Sequence, residues 1–399
     1  MGGASGFGGS ATGGAGGSTD VDSGRGCDAT TLLPVPLDVG VRGPWAVGVR
    51  TVTIGRLTVE VLYPAEPGST EGLPEATYDV RDWLPPQQRS KVPDANSPAV
   101  GPIGGNLFRD VPIDAQHGPY PVVVFIHGTA SFRIASGSVN VHWASRGFVV
   151  LAADYPGLFL MDQLNGTLEC GYPQTGAQDI PGDVNAQLNA LQNPSGDLAF
   201  LGGRVDMMRL GISGHSQGGC ISATLTTIPN VKTVIPMSGS APTTVATGLQ
   251  SILYVSGIAD TVIGYNAPLI GNVVCPLGST STTGAYQASP GPPNVTKRLA
   301  GIAGGGHLVP TDLCQTNQLG RNAVQEAQAD GVCGVNSAVI IGLPALFDCG
   351  TIDMATGLRA VSYASTAALE ETLLCKDRSA QFASLQANVP AITDFQHAP

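Results

Sequence analysis

The chain has 399 residues, 42% hydrophobic and 12% charged, with a formal net charge of −11. That apolar share supports a sizeable core, while the acidic balance repels phosphate backbones and anionic lipid and so excludes nucleic-acid binding. No apolar run is long enough to cross a bilayer as a helix.

Residues 1–26 hold 11 glycines and, after Met1, only Phe7 and Val21 as large apolar side chains. Such a stretch cannot offset its chain entropy, so a disordered linker is expected ahead of one folded domain over residues 27–399. It lacks the basic and apolar regions of a signal peptide, and Gly6 stands where a myristoylation pattern needs Ser or Thr. The eight cysteines are Cys27, Cys170, Cys220, Cys275, Cys314, Cys333, Cys349 and Cys375. In a lysine-poor chain that number points to an oxidising compartment. The expectation is a secreted protein, extracellular or periplasmic, with a removed export signal or a lipid anchor ahead of the linker. No C-x-x-C and no zinc-finger spacing occurs, so no metal site is expected.

Val47–Tyr63 alternates apolar and polar around Gly55, the pattern of an antiparallel strand pair. Trp83–Gly105 is proline-rich without periodicity and reads as a surface loop or flap. Six short apolar runs follow: Pro121–Ile126, Phe148–Ala152, Arg209–Ser213, Thr233–Met237, Ile252–Ser256 and Lys297–Ile302. Continuous runs of this length suit strands buried on both faces. Helical candidates, Asp183–Gln192 and Gln217–Thr227, lie between them, and Ala364–Leu374 serves as a last helix. The predicted fold class is α/β, a doubly wound, mostly parallel sheet with a cysteine-containing C-terminal extension. Residues 311–360 are open to being an insertion, a subdomain or plain packing.

Gly214-His215-Ser216-Gln217-Gly218-Gly219 follows one predicted strand directly and opens a predicted helix. G-x-S-x-G in that context is a nucleophile elbow, and Ser216 is the candidate nucleophile. The alternative is an ordinary glycine loop. The helix N-terminus below the serine favours negative charge developing on a substrate oxygen. Enzymes with this elbow order their triad as Ser, Asp/Glu, His. Between Ser216 and His307 the chain has one acidic residue, Asp260, just past a predicted strand. After Asp260 only His307 and His397 remain, and His307 follows a strand through Gly304-Gly305-Gly306. Asp260 and His307 therefore complete the candidate triad. Candidate oxyanion-hole amides are those of Gln217 and Thr129, with Ala130 as second choice. Phe132 and His215 are candidate substrate contacts, although core packing competes for Phe132 and the geometry beside the nucleophile turns His215 elsewhere. His127 reads as structural, and His142 with Trp143 as core.

These motifs resemble those of α/β-hydrolase-fold serine esterases. The nearest group is platelet-activating-factor-acetylhydrolase-like, chlorophyllase and dienelactone-hydrolase-like, neighbouring the cutinase-type polyester hydrolases. The likeness runs over Val47–Cys314, through VGVRTVTIGRLTVEVLYPAEP, YPVVVFIHG, GHSQGG, GIAD and GGGHLVPTDLC. Two departures stand out: HGTA replaces the HGGG of many lipases, and about 85 residues follow Cys314. The resemblance implies a monomeric serine carboxylic-ester hydrolase acting through an acyl-enzyme on small or polymeric esters, of which the acidic surface favours neutral or apolar ones. That serine chemistry implies no cofactor. A cutinase-like polyester hydrolase and an acyltransferase are the alternatives; a binding protein of the same fold is disfavoured because the triad is whole.

The cysteines add one more expectation. Cys275 and Cys314 end the loops that must bring Asp260 and His307 to Ser216, so a Cys275–Cys314 disulfide is predicted, with Cys333–Cys349 next. Cys220, behind the nucleophile, is expected to stay free unless another cysteine lies against it.

Overall fold

In the computed structural model the described residues are 26–27, 30–97, 99–239, 244–267, 275, 281–316, 323–336 and 347–398. The expected linker, residues 1–26, lies outside them but for Gly26. The elements that matter here are β1 (Val47–Ile54), β2 (Leu57–Pro64), β3 (Leu107–Arg109), β4 (Tyr120–Ile126), α1 (Gly137–Ser145) and β5 (Val149–Asp154). Next come α2 (Leu160–Asn165), α3 (Ile180–Gln192), β6 (Val205–His215), α4 (Gln217–Ser222), β7 (Val231–Met237) and β8 (Ser251–Gly257). The chain closes with α5 (Thr282–Ala288), β9 (Thr296–Ile302), α6 (Ala323–Ala329), α7 (Met354–Leu373) and β10 (Ile392–Ala398).

Among the described residues the strands form one sheet, in the order β10-β9-β8-β7-β6-β4-β5-β2-β1-β3. Its centre, from β5 through β4 and β6 to β9, is parallel, and β2 and β10 pair antiparallel at either side. Every residue of β4, β5 and β8 is buried, as the continuous apolar runs require when both faces are covered. β1 and β2 form the expected hairpin with Ile54 opposite Leu57. The chain runs from β4 outward to β5 and then returns to β6 on the other side of β4. In open α/β sheets such a reversal is where ligand crevices form, here at the carboxyl ends of β4 and β6. α7 packs beside α1, where the Trp143 indole N–H donates to Ser365 Oγ at 3.0 Å.

Three expectations are corrected. The stretch from Trp83 is less loose than a flap: it forms short 3-10 turns, and Trp83 is buried against Phe132 with ring centroids 4.5 Å apart. The predicted helix from Gln217 stops at Ser222, and a separate turn covers Leu225–Thr227. The disulfides are Cys27–Cys375, Cys170–Cys333, Cys220–Cys275 and Cys314–Cys349, leaving no free cysteine. Neither Cys275–Cys314 nor Cys333–Cys349 forms. Cys275 instead reaches the back of α4, where it clusters with Cys220, Ala223, Val262 and Ile263. Cys220 is thus not free, and Cys314 is left to meet the returning C-terminal segment.

Candidate active site

β6 runs straight into the elbow. Ser216 sits between that strand and α4 with φ 55° and ψ −123°, a conformation that costs a non-glycine residue roughly 1–3 kcal/mol. Its amide donates to Met237 O at 2.9 Å, which fixes the turn against β7. A Cβ at Gly218 would collide with the carbonyl oxygens of Ile126 and His127, so α4 can start this close to β4 only because that side chain is missing.

Three loops at the carboxyl ends of β6, β8 and β9 bring Ser216, Asp260 and His307 together. His307 Nε2 lies 2.9 Å from Ser216 Oγ, and His307 Nδ1 lies 2.9 Å from Asp260 Oδ2 and 3.1 Å from Oδ1. With the ring proton on Nδ1, that N–H donates to the carboxylate and Nε2 accepts from the serine hydroxyl. Asp260 Oδ1 also accepts from the amides of Val262 and Ile263 at 2.8 and 3.0 Å. Burial pushes the Asp260 carboxyl up, but His307 and these amides together outweigh it and hold the group below its ordinary range. All three side chains are buried.

His215 does not face the crevice. Its Nε2–H donates to the carbonyl oxygen of His307 at 2.9 Å, so it supports the backbone of the candidate base. Burial, with the neighbouring His307 charge, lowers its pKa to about 3, which keeps the ring neutral. His127 is structural as expected: Nδ1–H donates to Gly128 O at 2.7 Å, and Nε2 accepts from the Tyr155 amide at 3.3 Å. His142 donates to Val39 O at 2.8 Å inside the core.

On the oxyanion side, the Ala130 amide is already committed to Leu158 O at 2.9 Å, which removes the second choice. The Thr129 hydroxyl donates to Gln217 Oε1 at 2.6 Å and holds the loop after β4 beside the start of α4. The Gln217 amide, at the first position of a helix, has no intrahelical acceptor.

Phe132 stacks on Trp83 and also lines a cavity of about 40 Å3. The walls include Leu62, Tyr78, Val80 and Leu313, and they come partly from the continuations of the Thr129 loop and the His307 loop. Glu60 and Arg133, which also line the cavity, belong to a network that sequence reasoning missed. Arg133 bonds Glu60 at 3.1 Å and pairs with Asp154, which also takes the Trp83 indole N–H at 2.9 Å. The one available signal was Asp154 at the carboxyl end of a predicted strand. Among the described residues no cluster of His, Cys, Asp and Glu is suited to a metal ion.

The sequence model of the family described as platelet-activating factor acetylhydrolase, isoform II, matches residues 83–156. The matched segment carries β4, the Thr129 loop, α1 and β5, and it stops short of Ser216, Asp260 and His307. It bears out the resemblance to platelet-activating-factor-acetylhydrolase-like enzymes and supports a serine ester hydrolase in general. No curated protein matches the chain.

Proposed function

We propose that the protein is a serine carboxylic-ester hydrolase working through an acyl-enzyme. The observation that carries this reading is the continuous hydrogen-bonded path from Ser216 Oγ through His307 to Asp260 at a strained strand-to-helix turn. Ser216 Oγ attacks the ester carbonyl while His307 Nε2 takes its proton. Asp260 holds the imidazole tautomer and stabilises the imidazolium that forms. The Gln217 and Thr129 amides receive the tetrahedral oxyanion. His307 then protonates the departing alcohol, and water releases the acid by the same route.

The preferred substrates are neutral or apolar esters. The net charge of −11 favours them. Four disulfides, and no helix among the described residues long and apolar enough to cross a membrane, are consistent with an extracellular protein. Secretion is part of the proposal.

Hydrolysis of p-nitrophenyl esters of graded acyl length, run beside a polyester film and an arm with added alcohol, tests the reading. Turnover of neutral soluble esters is the expected result. Erosion of the film extends the substrate class to polyesters, and a dominant alcoholysis product replaces hydrolysis by acyl transfer. Failure to turn over any carboxylic ester contradicts the proposal.

A further inference from the structure

A short strap from the C-terminal extension lies directly on the loop that carries the candidate base. The amides of Thr351 and Ile352 donate to Gly304 O at 2.7 and 3.1 Å, and Gly305 pairs with Gly350 in an antiparallel bridge. The Leu308 amide donates to Asp348 O at 2.9 Å. A Cβ on Gly306 would collide with Asp348 and the Gly350 amide, so the strap can sit this close only over glycine. Cys349, next to Asp348, is joined to Cys314 with a Cα–Cα distance of 6.0 Å.

The Asp348 side chain then reaches both halves of the acid–base pair. Its Oδ2 accepts from the amide of His307 at 3.2 Å and from the amide and hydroxyl of Thr261 at 3.0 and 2.9 Å. Its Oδ1 accepts from the Gly350 amide at 3.0 Å, which steadies the carboxylate. Thr261 follows Asp260 directly, and the next two amides, Val262 and Ile263, bind the Asp260 carboxylate. One oxygen of Asp348 therefore joins the backbone of the base to the turn that orients the acid. Charge-assisted hydrogen bonds of this kind are the stronger ones.

We infer that Asp348 is a positioning residue that sets the register between Asp260 and His307, on a strap pinned by the Cys314–Cys349 disulfide. This rests on the reading of Ser216, His307 and Asp260 as a triad. Asp348 touches neither substrate nor reacting atoms; its effect passes through the alignment of the other two. Without it, the Thr261 and His307 amides lose their shared acceptor and the two loops are free to drift. A misplacement of ~1 Å at a reacting centre can cost on the order of 100-fold in rate.

The test is a mutant cycle on the full chain, with kcat and KM for a soluble ester measured well below each variant's melting temperature. Asp348→Ala should lower kcat by ~10²-fold with KM little changed. Asp348→Asn, which keeps an acceptor oxygen for Thr261 and His307, should restore most of that loss. In an Asp260→Ala background the same Asp348→Ala change should cost far less, because no acid remains to align. Thr261→Val, which removes only the hydroxyl, should lower kcat in the same direction by a smaller factor and serves if Asp348→Ala fails to fold. Wild-type kcat in Asp348→Ala, an equal cost in both backgrounds, an Asp348→Asn variant as slow as Asp348→Ala, or wild-type kcat in Thr261→Val overturns the inference. Loss of activity in Ser216→Ala together with full activity in Asp348→Ala defeats this inference alone. Retained activity in Ser216→Ala defeats the triad reading on which it rests.

Discussion

Between α1 and α7, the Glu370 carboxylate receives Arg146 Nε at 2.6 Å and Arg378 Nε at 2.7 Å, and all three side chains are sealed from solvent. Arg146 spends its remaining donors on the carbonyls of Pro36 and Val41 at 2.8 and 2.6 Å. At the Ser216 site the hydrogen-bonded path is just as buried but has an open end. It runs from Asp260 through His307 to the Ser216 hydroxyl, which donates to His307 Nε2 and ends the path, on a backbone held at positive φ. The first cluster is complete by itself and ties the N-terminal segment, α1 and α7 together. The second holds backbone strain and the proposed nucleophile. Two clusters of similar burial thus differ in build: one is closed on itself, and the other is the site proposed to react.

The comparison breaks first at Ser216. Ser216→Ala should abolish ester hydrolysis, a loss on the order of 10⁶ in turnover, with the melting temperature nearly unchanged. Ser216→Gly should be as inactive, yet more stable by roughly 1–2 kcal/mol, because glycine tolerates the positive φ. Denaturant unfolding beside the activity assay checks both; a Ser216→Ala variant that still turns over ester contradicts the division.

Glu370→Ala should do the reverse. Leaving two buried guanidinium groups without their carboxylate costs about 3–5 kcal/mol, while kcat per folded molecule stays near wild type. The denaturant midpoint and an active-site titration measure the two separately. Unchanged stability would mean that the cluster is not the closed unit described.

How much of this was legible in the sequence follows from what each feature depends on. The six central strands announce themselves because strands covered on both faces must be apolar throughout, as in Tyr120–Ile126 and Ser251–Gly257. Ser216 was legible from the strand–turn–helix motif, and Asp260 was legible because it is the only acid between the two other candidates. β10 was not legible: it is a half-exposed antiparallel edge with the mixed composition ITDFQHA. The disulfides were mispaired because bridges such as Cys27–Cys375, 348 residues apart, depend on where the chain ends meet and not on any local pattern. Asp348 was invisible for the same reason. Its three donors at Oδ2 lie 41 and 87 residues away along the chain.

Acid should separate the clusters more gently. Burial, with the Arg146 charge nearby, lowers the His142 pKa to about 3, and His215 is lowered to about 3 as well. An unfolded histidine titrates near ~6.5, so between these values the unfolded chain binds more protons and stability rises with pH. That contribution is intact above ~6.5 and is lost as the pH falls toward 3. Asp312 works in the opposite direction: burial raises its carboxyl to about 6, so its share of stability falls as the pH rises through that value. His127 is lowered by burial in the same way, and the depressed Asp260 and Asp114 carboxyls also lose their share of stability in acid, so the melting temperature should drop between pH 7 and pH ~4. His142→Gln, whose amide can still donate to Val39 O, should flatten the slope; an identical slope would show that His142 is not responsible. The smallest effect belongs to Thr129→Val. It removes the hydroxyl bond to Gln217 but leaves the backbone amide, so kcat should fall by less than ~10-fold, against the 10²–10³-fold typical of a lost oxyanion donor. A larger loss would make the hydroxyl itself a donor.

The most direct measurement is covalent trapping. A serine-directed organophosphonate added to the folded protein, followed by peptide mapping, should place one adduct on Ser216 in parallel with loss of esterase activity. The Asp260→Asn variant should label far more slowly, because its histidine carries the wrong tautomer. An adduct on any other serine, or full activity after Ser216 is blocked, would contradict the assignment of Ser216 as the nucleophile.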